Sequence, residues 1–325
     1  MPNRHQANLP PGMGSIMRFH APAIYYFHAV RRAGSIRGAA RVLNVASSAV
    51  NRQILKLEED LGTPLFERTV NGLKLTSVGE MFARHVMTVI QDQDRFKSDL
   101  QSLSGTWRGS IRVACIEALA GSLLPDLMMR HRQRAKRVTF SARIMGSFEI
   151  HDVLVRGEAD IGVAFALRHS PELRQVALKR FRLGAVVAKD HPLASKGKVT
   201  VPQCMAYPFI LAFPELSIHD LLQPLMARLP QTEEAAIQTN SMDLMRELAE
   251  RGVAISFQTQ IGIERLLEAG RLSFLPLHHG GSPVWSDLGV YVRSDRALPA
   301  YMESYLQDLV RELDEREKRE NAAFA

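Results

Sequence analysis

The chain has 325 residues, 46% of them hydrophobic and 23% charged, which suits a soluble globular protein of two or three domains. Two cysteines, Cys115 and Cys204, exclude a disulfide framework, and no apolar run reaches the length of a membrane span. The charge of +7 is uneven: residues 1–108 hold 14 Lys/Arg against 8 Asp/Glu, the remainder 27 against 26, so a polyanionic partner is expected at the first third.

Residues 1–20 are rich in Pro, Gly and Asn and have no apolar core of a secretory signal. They read as a disordered extension, and Met13 or Met17 is an alternative start. Ile24–Arg32 reads as a first helix, stopped by Gly34. Ser35 caps a second, Ile36–Leu43, and Asn44-Val45 turns into a third, Ser47 to Leu61. Val50, Ile54, Leu57 and Leu61 recur at helical spacing and are expected inside.

The other face of the third helix, from Ser47 to Lys56, carries Ser48, Asn51 and Arg52. Short hydrogen-bonding groups with cations beside them suit base edges and phosphates respectively. Arg37, on the second helix, is a further expected DNA contact. Asn71-Gly72 reads as a hairpin turn whose two strands carry Arg68 and Lys74 as a wing along the DNA backbone. These elements predict an all-α winged helix-turn-helix over 21–78.

Ser77-Val-Gly-Glu80 has the form of a capping box opening a long helix, over 79–104. Phe82, Val86, Val89, Gln93, Phe96, Leu100 and Leu103 step by four and three, the pattern of a heptad seam. The same spacing also fits packing on the helix's own domain.

From residue 109 to 325 short β-rich runs alternate with helices: Ser110–Cys115, Thr139–Ile144 and Ile161–Phe165, then Ala185–Ala188, Phe209–Ala212, Ile237–Thr239 and Val253–Phe257. The rhythm predicts α/β architecture with parallel strands in two lobes. His278-His279 lies beside two glycines with no further ligand at metal spacing and reads as a loop. No phosphate-binding loop or nucleophile elbow stands out, so neither cofactor, metal nor catalytic residue is expected.

In its first third the chain resembles the LysR-type transcriptional regulators. The resemblance rests on Gly34-Ser35, Ala39-Ala40-Arg41-Val42-Leu43, Ala49-Val50, Gln53-Ile54, Leu57-Glu58, Leu61-Gly62, Leu65-Phe66-Glu67-Arg68 and Leu75-Thr76 with Gly79. It departs at Ala46-Ser47-Ser48, where the family usually has Ser-Gln-Pro, and at Asn51, where Ser is common; these positions face the operator. The resemblance implies promoter DNA as partner, a linker helix that pairs between subunits in a homodimer or homotetramer, contact with RNA polymerase, and no membrane. It also implies two lobes similar to periplasmic binding proteins, one of about 109–166 with 272–316, the other of about 167–271, with crossings near Phe165–Arg168 and Ile263–Arg271. A small-molecule effector then sits between them. The matching positions are Cys115, Ile116, Glu117, Ala118, Ser147, Phe165 and Leu167, with Ser217, Asn240, Ser241 and Phe257 from the second lobe. Glu117 argues against a simple anion at that end of the pocket and suits a cationic or hydroxylated effector, or else faces solvent. The other reading is a small-molecule binding protein or enzyme whose N-terminal domain serves assembly alone.

Overall fold

The computed structural model describes residues 20–70, 72–103, 107–165, 167, 169–227 and 235–324. It divides into two compact units, one ending at Asp94 and one beginning at Arg95.

The first unit opens with α1 (Pro22–Ala33), α2 (Ile36–Leu43) and α3 (Ser47–Leu61). Three residues with left-handed backbones, Gly34, Asn44 and Gly62, end the three helices, and each lets its N–H close the last turn. The Ser35 hydroxyl accepts from Gly38 N at 3.1 Å and starts α2. Phe27, Val30, Ala39, Val50 and Ile54 form the core. Leu61 does not join it: it stands exposed in the last turn of α3, where the helix runs past the core.

Strands β1 (Phe66–Thr69) and β2 (Gly72–Leu75) form an antiparallel hairpin in which Thr69 pairs with Gly72. Gly72 is therefore in the second strand, and fully exposed Val70 stands at the tip. Gly72 has φ 122°, a backbone that side chains rarely adopt, and a Cβ there would come within 2.6 Å of the Gly34 carbonyl oxygen, so both conformation and close approach require glycine. Glu58 of α3 ties the hairpin down, accepting from the backbone N–H of Leu65 and Phe66 at 2.7 and 3.1 Å.

Helix α4 (Ser77–Leu103) begins on the hairpin. Its cap is Thr76, whose hydroxyl accepts from Gly79 N at 3.0 Å, one residue before the expected Ser77. The expected dimer seam is corrected at three positions. Val86 lies in the core of its own domain, and Phe82 packs edge-on against Phe27 with ring centres 4.9 Å apart. Gln93 is buried and accepts from the Tyr25 hydroxyl. Val89 is half-buried, whereas Phe96 and Leu100 are 49% and 43% exposed. The Leu103 side chain lies outside the described residues.

The second unit holds β3 (Arg108–Cys115), α5 (Glu117–Ala120), α6 (Leu123–Arg134), β4 (Arg137–Ile144), α7 (Ser147–Val155), β5 (Ile161–Phe165), β6 (Leu173–Arg182) and β7 (Gly184–Ala188). There follow α8 (Val201–Met205), β8 (Ile210–Ala212), α9 (Ser217–Met226), β9 (Ile237–Thr239), α10 (Met242–Glu250), β10 (Ser256–Gln258), α11 (Glu264–Glu268) and β11 (Leu272–Pro276). The chain ends with β12 (His278–His279), β13 (Ser282–Pro283), β14 (Trp285–Arg293) and α12 (Ala300–Ala323).

The first lobe is a sheet ordered β4-β3-β5-β14-β6, parallel through its first three strands and antiparallel at β14. The second has an antiparallel sheet β10-β7-β11 and a parallel pair β8-β9. This moves the expected lobe boundaries. Residues 173–182 belong to the first lobe, because β6 pairs along its length with β14, and residues 272–276 belong to the second, because β11 pairs with β7. The chain crosses between lobes at Arg182–Leu183 and at Val284–Trp285, not near 165–168 and 263–271. Strand β6 is an edge strand rich in cations, a composition that hides it from hydrophobic patterning.

Candidate DNA interface and interlobe cleft

Helix α3 presents a polar face because its apolar residues, Val50 and Ile54, turn inward to α1 and α2. Ser47, Ser48, Arg52 and Lys56 are exposed along it. Asn51 is half-buried on the shoulder facing the hairpin, lining a groove with Glu58 and with Arg68 of β1. Arg37 on α2 is exposed, as is Lys74, paired across the hairpin with Glu67. Asn71 lies outside the described residues. Sequence reasoning missed Leu55. It is 57% exposed among these polar groups, where an apolar side chain suits the 5-methyl of thymine. Its signal was a leucine on the wrong side of an amphipathic helix.

The lobes enclose a cavity of about 380 Å³. The ends of β3, β4 and β5 bring Ile116, Glu117, Ala118, Ser147 and Phe165 to one wall. The opposite wall brings Ser217 from α9 and Asn240 from before α10. Four expected positions are elsewhere. Cys115 and Phe257 point into the cores of their lobes, and Leu167 packs partly buried on the first. Ser241 caps α10, its hydroxyl accepting from Leu244 N at 3.3 Å. Sequence reasoning missed Ile144, Phe148, Glu149 and Glu215, which also line the cavity. At its mouth the lobes come close: a Cβ on Gly146 would stand 2.7 Å from the Glu215 carbonyl oxygen.

Glu117 spans the cleft. Its carboxylate accepts from the backbone N–H of Met242 and Asp243 at 3.1 and 3.0 Å, in the first turn of α10. A first-lobe anion thus fills the positive end of a second-lobe helix.

Both cysteines are buried, and burial pushes each thiol up to about 12. They are protonated at neutral pH, which suppresses thiolate chemistry. Among the described residues no cluster of three or more His, Cys, Asp or Glu is placed to hold a metal ion, and no helix is long and apolar enough to cross a membrane.

A helix-turn-helix unit joined to a two-lobed domain with a central cavity defines a DNA-binding transcription regulator with an effector-binding domain. A family model described as "Bacterial regulatory helix-turn-helix protein, lysR family" matches residues 22–80, and one described as "LysR substrate binding domain" matches 104–314. The chain belongs to the LysR family of transcription regulators. Among curated relatives it is 26% identical over 217 residues to the HTH-type transcriptional regulator YybE of Bacillus subtilis, covering 67% of this chain and 72% of that one. Among solved structures, full-length OxyR of Pseudomonas aeruginosa shares the fold with a TM-score of 0.67 at 18% identity, over 89% of this chain and 96% of that one. Full-length CbnR bound to its target DNA matches with a TM-score of 0.54 at 19% identity, over 90% of this chain and 99% of that one.

Proposed function

We propose that this protein is a cytoplasmic, non-enzymatic regulator that binds promoter DNA as a homodimer or dimer of dimers. A small molecule entering the interlobe cleft alters its hold on DNA or its contact with RNA polymerase. The observation that carries the reading is the exposed face of α3, Ser48, Arg52, Lys56 and Leu55, with Asn51 on its shoulder. Its cations meet phosphates, while Asn51 pairs with adenine and Arg52 with guanine. Arg37, Arg68 and Lys74 extend the contact along the backbone. Two such helices in a dimer address successive half-sites of a near-palindrome. A footprint on DNA upstream of the protein's own gene tests this. Protection of two half-sites about one helical turn apart is expected; no protection at modest salt overturns it and leaves the N-terminal domain a role in assembly alone.

The pairing surface on α4 begins beyond the positions used by the N-terminal core. Phe96→Glu with Leu100→Glu is therefore expected to give a monomer by light scattering, with helix content kept. An unchanged assembly would remove both residues from the interface. Charge at Val86 would not make this test, because it would unfold the domain from within.

A further inference from the structure

We infer that the interlobe cleft takes an organic cation with an apolar body. The inference rests on the reading of the cleft as the effector site and names the ligand class for it. Three observations carry it.

The first is charge. Glu117, Glu149 and Glu215 line the cavity, and among the described residues no Lys, Arg or His does. Glu149 and Glu215 are exposed, one on each lobe, and neither has an ion-pair partner among the described residues. Arg246, behind the wall, gives Nη1 to Asp243 at 2.8 Å and Nε to Gln258 at 3.4 Å, and does not line the cavity. An anion here would meet three carboxylates, with no cation among the described lining residues to offset them.

The second is that the helix end best placed to hold an anion is filled. The first turn of α10 already holds the Glu117 carboxylate on two N–H groups and the Ser241 hydroxyl on a third. A ligand carboxylate would have to displace a covalently tethered one that is already in place.

The third is the unmet chemistry. Ser147 is 2% exposed, lines the cavity, and its hydroxyl has no hydrogen-bond partner among the described residues. A buried hydroxyl without a partner costs stability until a ligand supplies one. It suits a hydroxyl, carbonyl or N–H on the ligand. Phe148 and Phe165 add aromatic surface, which attracts cations, and Ile116, Ile144, Leu216 and Ile261 make the rest apolar. The ligand therefore has an apolar body for these walls, one polar group for Ser147, and a positive charge toward Glu149 and Glu215.

The test uses three probes with one apolar body and different charge: 2-phenylethylamine, 2-phenylethanol and 3-phenylpropionate. Binding to the full-length protein is measured by calorimetry at low salt. The amine is expected to bind about tenfold tighter than the carboxylate, with the alcohol between, because rim carboxylates contribute only modestly each. The preference is expected to vanish in Glu149→Gln with Glu215→Gln, two exposed positions whose change leaves the cores intact. A tighter carboxylate, an amine preference that survives the double variant, or no amine binding at millimolar concentration overturns the inference. A cleft-filling Ser217→Trp variant separates this from the reading beneath it. If the carboxylate wins and Ser217→Trp abolishes its binding, the cleft is the effector site and the charge inference falls. If the amine binds and Ser217→Trp leaves it unchanged, the site lies elsewhere and both fall.

Discussion

Asp160→Ala is expected to destabilise the effector-binding unit by about 3–5 kcal/mol, the range for removing one partner of a buried ion pair. Asp160 is 2% exposed at the entry to β5 and holds three parts of the first lobe together. Its carboxylate accepts from the backbone N–H of Arg112 at 2.8 Å and from that guanidinium at 2.5 and 3.1 Å, and it pairs with Arg296. Arg112 is on β3, and Arg296 lies on the return of the chain before α12. Without the carboxylate, Arg296 would be left buried and uncompensated. For a unit of this size the loss corresponds to a fall of roughly 6–20 °C in Tm. A shift of only a degree or two would mean that water reaches Arg296 and the cluster is dispensable.

The same residue sets an acid limit. Burial works to raise its pKa, but Arg296 and Arg112 together outweigh burial and hold it below the ordinary 3.8. A group depressed in the folded state contributes fully above its unfolded value and loses that contribution as pH falls through the folded one. Asp160 therefore supports the fold throughout the neutral range and ceases to do so only in acid below pH 3.8. Asp160→Ala should show a flatter loss of stability in that window than the parent protein.

What could be read along the chain was what local chemistry decides. Ser35, Gly34 and Asn44 punctuate the helices because capping is a property of neighbours. Ile116-Glu117-Ala118 was legible as cleft only through the resemblance to the family's pocket-lining segments, and local chemistry alone did not mark it. The rest depends on partners far apart in sequence. Nothing near Glu117 announces the N–H groups of Met242 and Asp243, 125 and 126 residues on. Strand β6 declares itself only when β14 arrives beside it, and with it the lobe boundary moves. The α4 seam failed for another reason. A spacing of four and three serves a partner subunit and a helix's own domain equally. Phe27 and Tyr25 decided the matter for Phe82 and Gln93.

Asn51→Ala is expected to cost about 1–3 kcal/mol of binding at a single base position and to relax specificity there. The side chain lies on the shoulder of α3 between the helix face and the groove shared with Arg68, so it can address a base edge while the hairpin follows the backbone. Lys74→Ala is the control with a different signature. An exposed cation on β2 is expected to contact phosphate, and its loss should weaken binding to all sequences alike and flatten the salt dependence by about one unit. The two variants therefore differ in kind as well as in size. One changes which operators are preferred at constant salt slope, the other changes the slope at constant preference. Binding of Asn51→Ala to every single-base operator variant, measured by gel shift at two salt concentrations, reads both quantities. If the ranking of operators is unchanged and only the slope moves, Asn51 is a backbone contact, and base reading passes to Ser48, Arg52 and Leu55 on the fully exposed part of the helix.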